Sequence, residues 1–210
     1  MADLQAIADA VIAGNRDEVA KLVQAAVDEG VSPADIINQG LIAGMSGVGV
    51  KFKANEFYVP EVLIAARAMH AGMDIVKPLL AETGVQAKGT VLIGTVKGDL
   101  HDIGKNLVSM MLEGGGYDVV DLDVDVAPEA FVTAVNEKSP NLVALSALLT
   151  TTMPSMKDTI DALAAAGVRD RVKIMIGGAP VTQEYADEIG ADGYAPDAAS
   201  AVDLANALMG

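Results

Sequence analysis

The sequence predicts an α/β protein: an N-terminal four-helix bundle followed by a doubly wound domain on a five-stranded parallel sheet. Two observations carry this. Residues 1–82 keep a helical period, whereas beyond a polar joint at 83–89 short apolar runs of strand type alternate with helical segments. Such alternation implies parallel strands joined by right-handed crossovers. We place the helical domain at 1–87 and the sheet domain at 88–210.

A first helix precedes Gly14. Asn15, with Glu18 three residues on, reads as a capping box for a helix that ends at Gly30. Ser32 and Pro33 give a second start, with the proline at the first helical position. Pro60 opens a third long helix, in which Leu63, Ala66, Arg67, Met69, His70 and Met73 fall at helical spacing. Strands are expected at 89–96, 118–122, 142–146, 172–176 and, weakly, 193–194. The intervening helices begin near Asp102, Pro128, Thr152, Val181 and Asp197. This order is flavodoxin-like, and folds of that kind bind ligands outside the carboxyl ends of their strands. The loops after Val96, Ser146 and Ile176 therefore carry the search for a site.

Composition narrows the function. Hydrophobic residues make up 51% of the chain and aromatic ones only 3%, so the core is built from Ala, Val, Leu, Ile and ten Met. A net charge of −15 offers nothing to a phosphate backbone, which argues against nucleic-acid binding. There is no cysteine, which removes disulfides, thiolate metal sites and cysteine nucleophiles. No signal-peptide pattern opens the chain, and the uncharged stretch 36–50 is too short and polar to span a bilayer. A soluble, cytoplasmic protein is expected.

The first loop reads Lys97-Gly98-Asp99-Leu100-His101-Asp102-Ile103-Gly104-Lys105-Asn106 and holds one of the chain's two histidines. A neutral imidazole is a good transition-metal ligand, and a carboxylate on its other nitrogen fixes the tautomer. Asp102 fits the cap of the following helix, and a lone histidine at a helix start is more often a surface or packing residue. The His101-Asp102 pair also resembles metal-dependent phosphohydrolases, but they need further histidines and only His70 remains. A P-loop fails because Gly98 stands one residue too far from Gly104-Lys105 and Asn106 replaces the Ser or Thr. The second loop gathers Ser146, Ala147 and Thr150–Thr152, and the third holds Gly177-Gly178. All three have shed bulk, which describes a slot beside the sheet beneath a metal held by His101.

The pattern Asp99-x-His101-x-x-Gly104, then Ser146-x-Leu148, then Gly177-Gly178, resembles the corrinoid-binding signature of cobalamin-dependent methyltransferases and mutases. The resemblance implies a cobalt corrinoid bound base-off, with His101 as lower ligand and Asp99 on its far nitrogen. It implies Thr152 as third member of that relay, in place of a serine. Asp102, Gly104, Ser146, Leu148, Thr150, Gly177 and Gly178 would then contact the cofactor, mostly along a slot for its nucleotide tail. Residues 48–73 look like the helical cap of methionine synthase, which casts Phe52 and Val59 as shields of the upper face; the other reading of both is bundle core. His70 is expected to be structural or exposed, Met69 and Met73 to be core.

A chain of cap and corrinoid domains most resembles the corrinoid proteins of methanol and methylamine methyltransferase systems. Those carry a methyl group from a substrate-specific methyltransferase to a second one with a thiol or pterin acceptor, and depend on a reductive activase. The resemblance thus implies a carrier rather than a complete enzyme, with a hinge at 83–89. The alternative is the small cobalamin-binding subunit of an adenosylcobalamin mutase, against which the helical residues 1–82 count. A cobalamin-sensing regulator would need a basic DNA-binding segment, and none is visible.

Overall fold

The computed structural model describes residues 3–83 and 87–210. The chain divides into two compact units, residues 1–87 with 113–116 and residues 88–112 with 117–210. The hinge expected at 83–89 includes residues 84–86, which lie outside the described residues.

The first unit is helical. Helix α1 (Leu4–Ile12) is capped by Asp3, and α2 (Arg16–Asp28) by Asn15, whose side chain accepts from the Glu18 N–H at 3.3 Å. The Asn15 N–H goes to the Ala10 carbonyl, so only this half of the expected box is seen. Ser32 caps α3 (Pro33–Asp35), which continues through a π-helical stretch, Ile36–Ile42, into α4 (Ala43–Lys53). Glycines let α1 lie against this rod. A Cβ on Gly40 would stand 3.0 Å from Ile7, and one on Gly44 would stand 2.7 Å from Val11.

Helix α5 (Val59–Thr83) buries Val62, Ala65, Ala66, Met69, Gly72 and Val76. The sequence expects Met69 and Met73 in the core and His70 structural or exposed; the structure departs from this at Met73. Arg67 is exposed and His70 and Met73 are half-buried, whereas Met69 is core as expected. Small residues decide the face here, because Gly72 sits where its missing Cβ would meet Leu41 at 2.7 Å and Val19 at 3.0 Å.

The second unit is the expected parallel sheet. Strands β1 (Thr90–Thr95), β2 (Asp118–Asp121), β3 (Leu142–Ser146), β4 (Lys173–Gly177) and β5 (Gly193–Ala195) lie in the order β2-β1-β3-β4-β5, all parallel. Both faces are apolar, as a doubly wound sheet requires. Val91, Ile93, Leu142 and Ala144 pack with Leu112 of α6 (Ile103–Gly114) and with Ala201 and Ala205 of α10 (Ala198–Met209). Leu92, Val143 and Leu145 face α7 (Pro128–Lys138), α8 (Pro154–Ala165) and α9 (Gln183–Ile189). Two helices begin two residues later than expected. Thr152 belongs to a turn before α8, its N–H donating to the Leu149 carbonyl, and Thr182 caps α9.

At the amino-terminal edge of the sheet, Asp192 accepts from the Ile174 N–H and from Arg169, both at 2.8 Å. Burial opposes its ionisation, yet these donors hold its carboxyl below the usual value. A depressed carboxyl stabilises above the unfolded value and loses that contribution as pH falls through the folded one. Asp192→Ala should therefore cost about 1–3 kcal/mol at neutral pH in urea unfolding, and the difference from wild type should shrink in acid.

No helix among the described residues is long and apolar enough to cross a membrane.

Candidate functional site

Strands β1, β3 and β4 are neighbours, so the three loops after their carboxyl ends converge on one edge of the second unit. At their centre is Asp99, whose side chain is 0% exposed. It accepts four hydrogen bonds. Oδ1 takes the His101 ring Nδ1 at 2.6 Å and the His101 N–H at 3.1 Å; Oδ2 takes the Leu148 N–H and the Thr152 hydroxyl, each at 2.7 Å. Burial alone would raise the carboxyl's pKa, but the donors from Thr152, Leu148 and His101 outweigh it and hold the group well below the carboxylate range. Asp99 is thus a fixed anion.

That anion sets the histidine. With Oδ1 beside it, the neutral imidazole carries its proton on Nδ1 and keeps the lone pair on Nε2. The His101 side chain is 50% exposed, and Nε2 makes no hydrogen bond within the described chain. Thr152 has one proton and two acceptors, Asp99 Oδ2 at 2.7 Å and the Leu149 carbonyl at 2.9 Å, which holds the second loop's turn to the carboxylate of the first.

Around His101 the surface is apolar. Leu100 is 72% and Ile103 77% exposed, and Leu148 and Leu149 are also out. The sequence singles out Leu148 but misses Leu100, Ile103 and Leu149, since these loops read as stripped of bulk. Large apolar side chains on polar turns were the signal available.

The remaining expected residues separate by cause. Gly104 faces open space, with nothing within 4 Å of a Cβ placed there. Gly177 is moderately tight, 3.2 Å from the Ala195 carbonyl. Gly178 has φ +133°, and a Cβ on it would lie 1.8 Å from the Ala147 carbonyl oxygen, so its first duty is to let two loops touch. Ser146 is half-buried and Thr150 exposed. The Asp102 carbonyl accepts the Asn106 N–H at 2.7 Å, as a cap residue's should, while its carboxylate takes the Asn106 side chain. In the first unit Phe52 and Val59 are both half-buried, neither wholly core nor free.

The donor set tests what this edge can hold. Among the described residues no group of three His, Cys, Asp or Glu side chains could hold a bare metal ion. One imidazole can only complete a metal that brings its other ligands with it. An apolar rim and an open glycine suit a broad, flat macrocycle around such a metal. A cobalt corrinoid meets each condition.

Comparison with known proteins decides the family. B12 binding domain models match residues 89–203 and residues 3–77. The chain belongs to the B12-binding corrinoid proteins. A corrinoid protein of Desulfitobacterium hafniense is 42% identical over 100% of this chain and 99% of its own, and a dimethylamine corrinoid protein of Methanosarcina acetivorans is 45% identical over 98% and 97%. Among solved structures, the methanol:cobalamin methyltransferase complex MtaBC of Methanosarcina barkeri matches with TM-score 0.87 and 35% identity, covering 98% of this chain and 79% of that one. A cobalamin-binding protein of Desulfitobacterium hafniense matches with TM-score 0.85 and 32% identity over the whole of both chains. The cofactor is therefore a corrinoid, and the relay described above belongs to a corrinoid protein.

Proposed function

We propose that this corrinoid protein carries methyl groups between two methyltransferases. When bound, the corrinoid supplies a cobalt centre able to take up and release a methyl group. The chain's own residues supply ligation, orientation and shielding.

The observation that carries the reading is the Asp99–His101 pair, with Nδ1 held at 2.6 Å and Nε2 left free. In it, His101 is the lower ligand. Asp99 fixes its tautomer and makes Nε2 a stronger donor, and Thr152 orients Asp99. Leu100, Ile103, Leu148 and Leu149 would offer the macrocycle an apolar surface around His101. Gly104, Ser146, Thr150, Gly177 and Gly178 admit the nucleotide tail, with Asp102 beside it. The resemblance of residues 48–73 to a corrinoid cap casts Phe52 and Val59 as the apolar residues that would keep water from a bound methyl group.

The relatives support the choice of chemistry, being dimethylamine and trimethylamine corrinoid proteins and a corrinoid partner of a methanol methyltransferase. On this reading a substrate-specific methyltransferase loads the carrier, a second one with a thiol or pterin acceptor unloads it, and a reductive activase restores it. The methyl donor is a methylamine or an alcohol.

The test is direct. Protein loaded with hydroxocobalamin and reduced with titanium(III) is mixed with a methylamine or methanol methyltransferase and its substrate. Methylation, read in the absorption spectrum, is expected with at least one pair. Failure with every pair, together with isomerase activity alongside a partner subunit, contradicts the carrier reading.

A further inference from the structure

The turn that bears His101 is pinned by residues that the relay does not include. Asp125, in the loop between β2 and α7, sits at φ +54°, and Asp123 before it at φ +71°. Left-handed backbone at a non-glycine residue is strained and persists where the surroundings demand it. In this conformation both ends of Asp125 meet the same turn. Its N–H donates to the Asp99 carbonyl at 3.0 Å, and its carboxylate Oδ1 accepts the Gly98 N–H at 2.7 Å. Gly98 is itself left-handed, at φ +84°.

The loop is laced to β1 beside these bonds. The Thr95 N–H donates to the Asp123 carbonyl and the Val126 N–H to the Thr95 carbonyl, each at 3.0 Å. From the fully buried Thr95, the hydroxyl donates to the His101 carbonyl at 2.9 Å. Three backbone groups of the turn, Gly98 N–H, Asp99 carbonyl and His101 carbonyl, are thereby fixed from outside it. Asp125 is exposed and adds nothing to the core, so its bonds serve the geometry of the turn.

We infer that Asp125 is a positioning residue for the cobalt ligand, clamping the Gly98–His101 turn so that Nε2 is presented at a set height, with Thr95 holding the far end. This rests on the reading of His101 as lower ligand. It requires an acceptor at position 125 and a left-handed backbone, not a charge.

Electron paramagnetic resonance of cob(II)alamin bound to uniformly 15N-labelled protein tests both levels. An axial 15N nucleus splits each line in two, whereas the cofactor's own 14N base splits it in three. Wild type is expected to give doublets. Asp125→Gly keeps the backbone and its N–H but removes the acceptor; it should lose doublet intensity, and hydroxocobalamin affinity should fall about tenfold, as when a ligand's supporting partner is removed. Thr95→Val should move both readings the same way. Asp125→Asn keeps acceptor and backbone and should match wild type. Undiminished doublets and unchanged affinity in both Asp125→Gly and Thr95→Val overturn the clamp alone, as does an Asp125→Asn as impaired as the glycine variant. Triplets from wild type overturn the lower-ligand reading and the clamp with it.

Discussion

Gly178→Ala is expected to destabilise the cofactor-free protein by about 2–6 kcal/mol, the sum of an unfavourable backbone and an overpacked contact. The reason is local. At φ +133° any side chain is strained, and the added carbon would lie 1.8 Å from the Ala147 carbonyl oxygen, a backbone atom that cannot swing aside. The Ala147 N–H donates to the Gly177 carbonyl at 3.2 Å, so displacing one loop breaks the register of the other. Gly104→Ala is the matched control. Nothing lies within 4 Å of its Cβ, and in a helix alanine is better than glycine by about 0.5–1 kcal/mol. Urea unfolding should show Gly178→Ala far below wild type and Gly104→Ala at or above it. A Gly178→Ala protein as stable as wild type would show that the second and third loops do not touch as described.

The second large effect is expected at Asp99. Asp99→Asn conserves shape but replaces one acceptor with a donor, and all four partners of Asp99 are donors, two on each oxygen. Whichever way the amide turns, its NH2 faces two of them. Turned toward His101, it also asks Nδ1 to accept, which moves the ring proton to Nε2 and removes the lone pair. Turned the other way, it opposes the Leu148 N–H, while the Thr152 hydroxyl can turn its proton to the Leu149 carbonyl and accept. Buried donors left without acceptors cost about 1–3 kcal/mol, and loss of a ligand's carboxylate partner typically costs 10–100-fold in metal affinity. Hydroxocobalamin titration and urea unfolding of the same preparation should show both losses. Because Asp99 is held far below the carboxylate range, wild-type affinity should not fall from the titration of this group between about pH 5 and 7.

How legible was this in the sequence? The sheet was, because strands buried on both faces must be near-continuous apolar runs, and Val91–Ile93, Leu142–Leu145 and Ile174–Ile176 are. The core of the relay was legible as well, since Asp99 and His101 are two residues apart on a strand-to-helix turn. Thr152, 53 positions from Asp99, was reached only through resemblance. What escaped is nonlocal or carried by small residues. Asp125 lies 27 positions from Gly98, and nothing in its neighbourhood marks an acceptor for that amide. Met73 was expected in the core of α5 and is half-buried, because small residues, Ala65, Ala66 and Gly72, carry much of the buried face. The π-helical stretch left no mark either, for the sequence IINQGLI also suits an ordinary helix.

The most direct test of the central claim is a hydroxocobalamin titration followed by absorption, with wild type and His101→Ala in parallel. Stoichiometric binding with a shifted spectrum in wild type, and a different spectrum or weaker binding in His101→Ala, is the predicted result. Identical spectra and affinities for the two proteins would contradict His101 as the lower ligand.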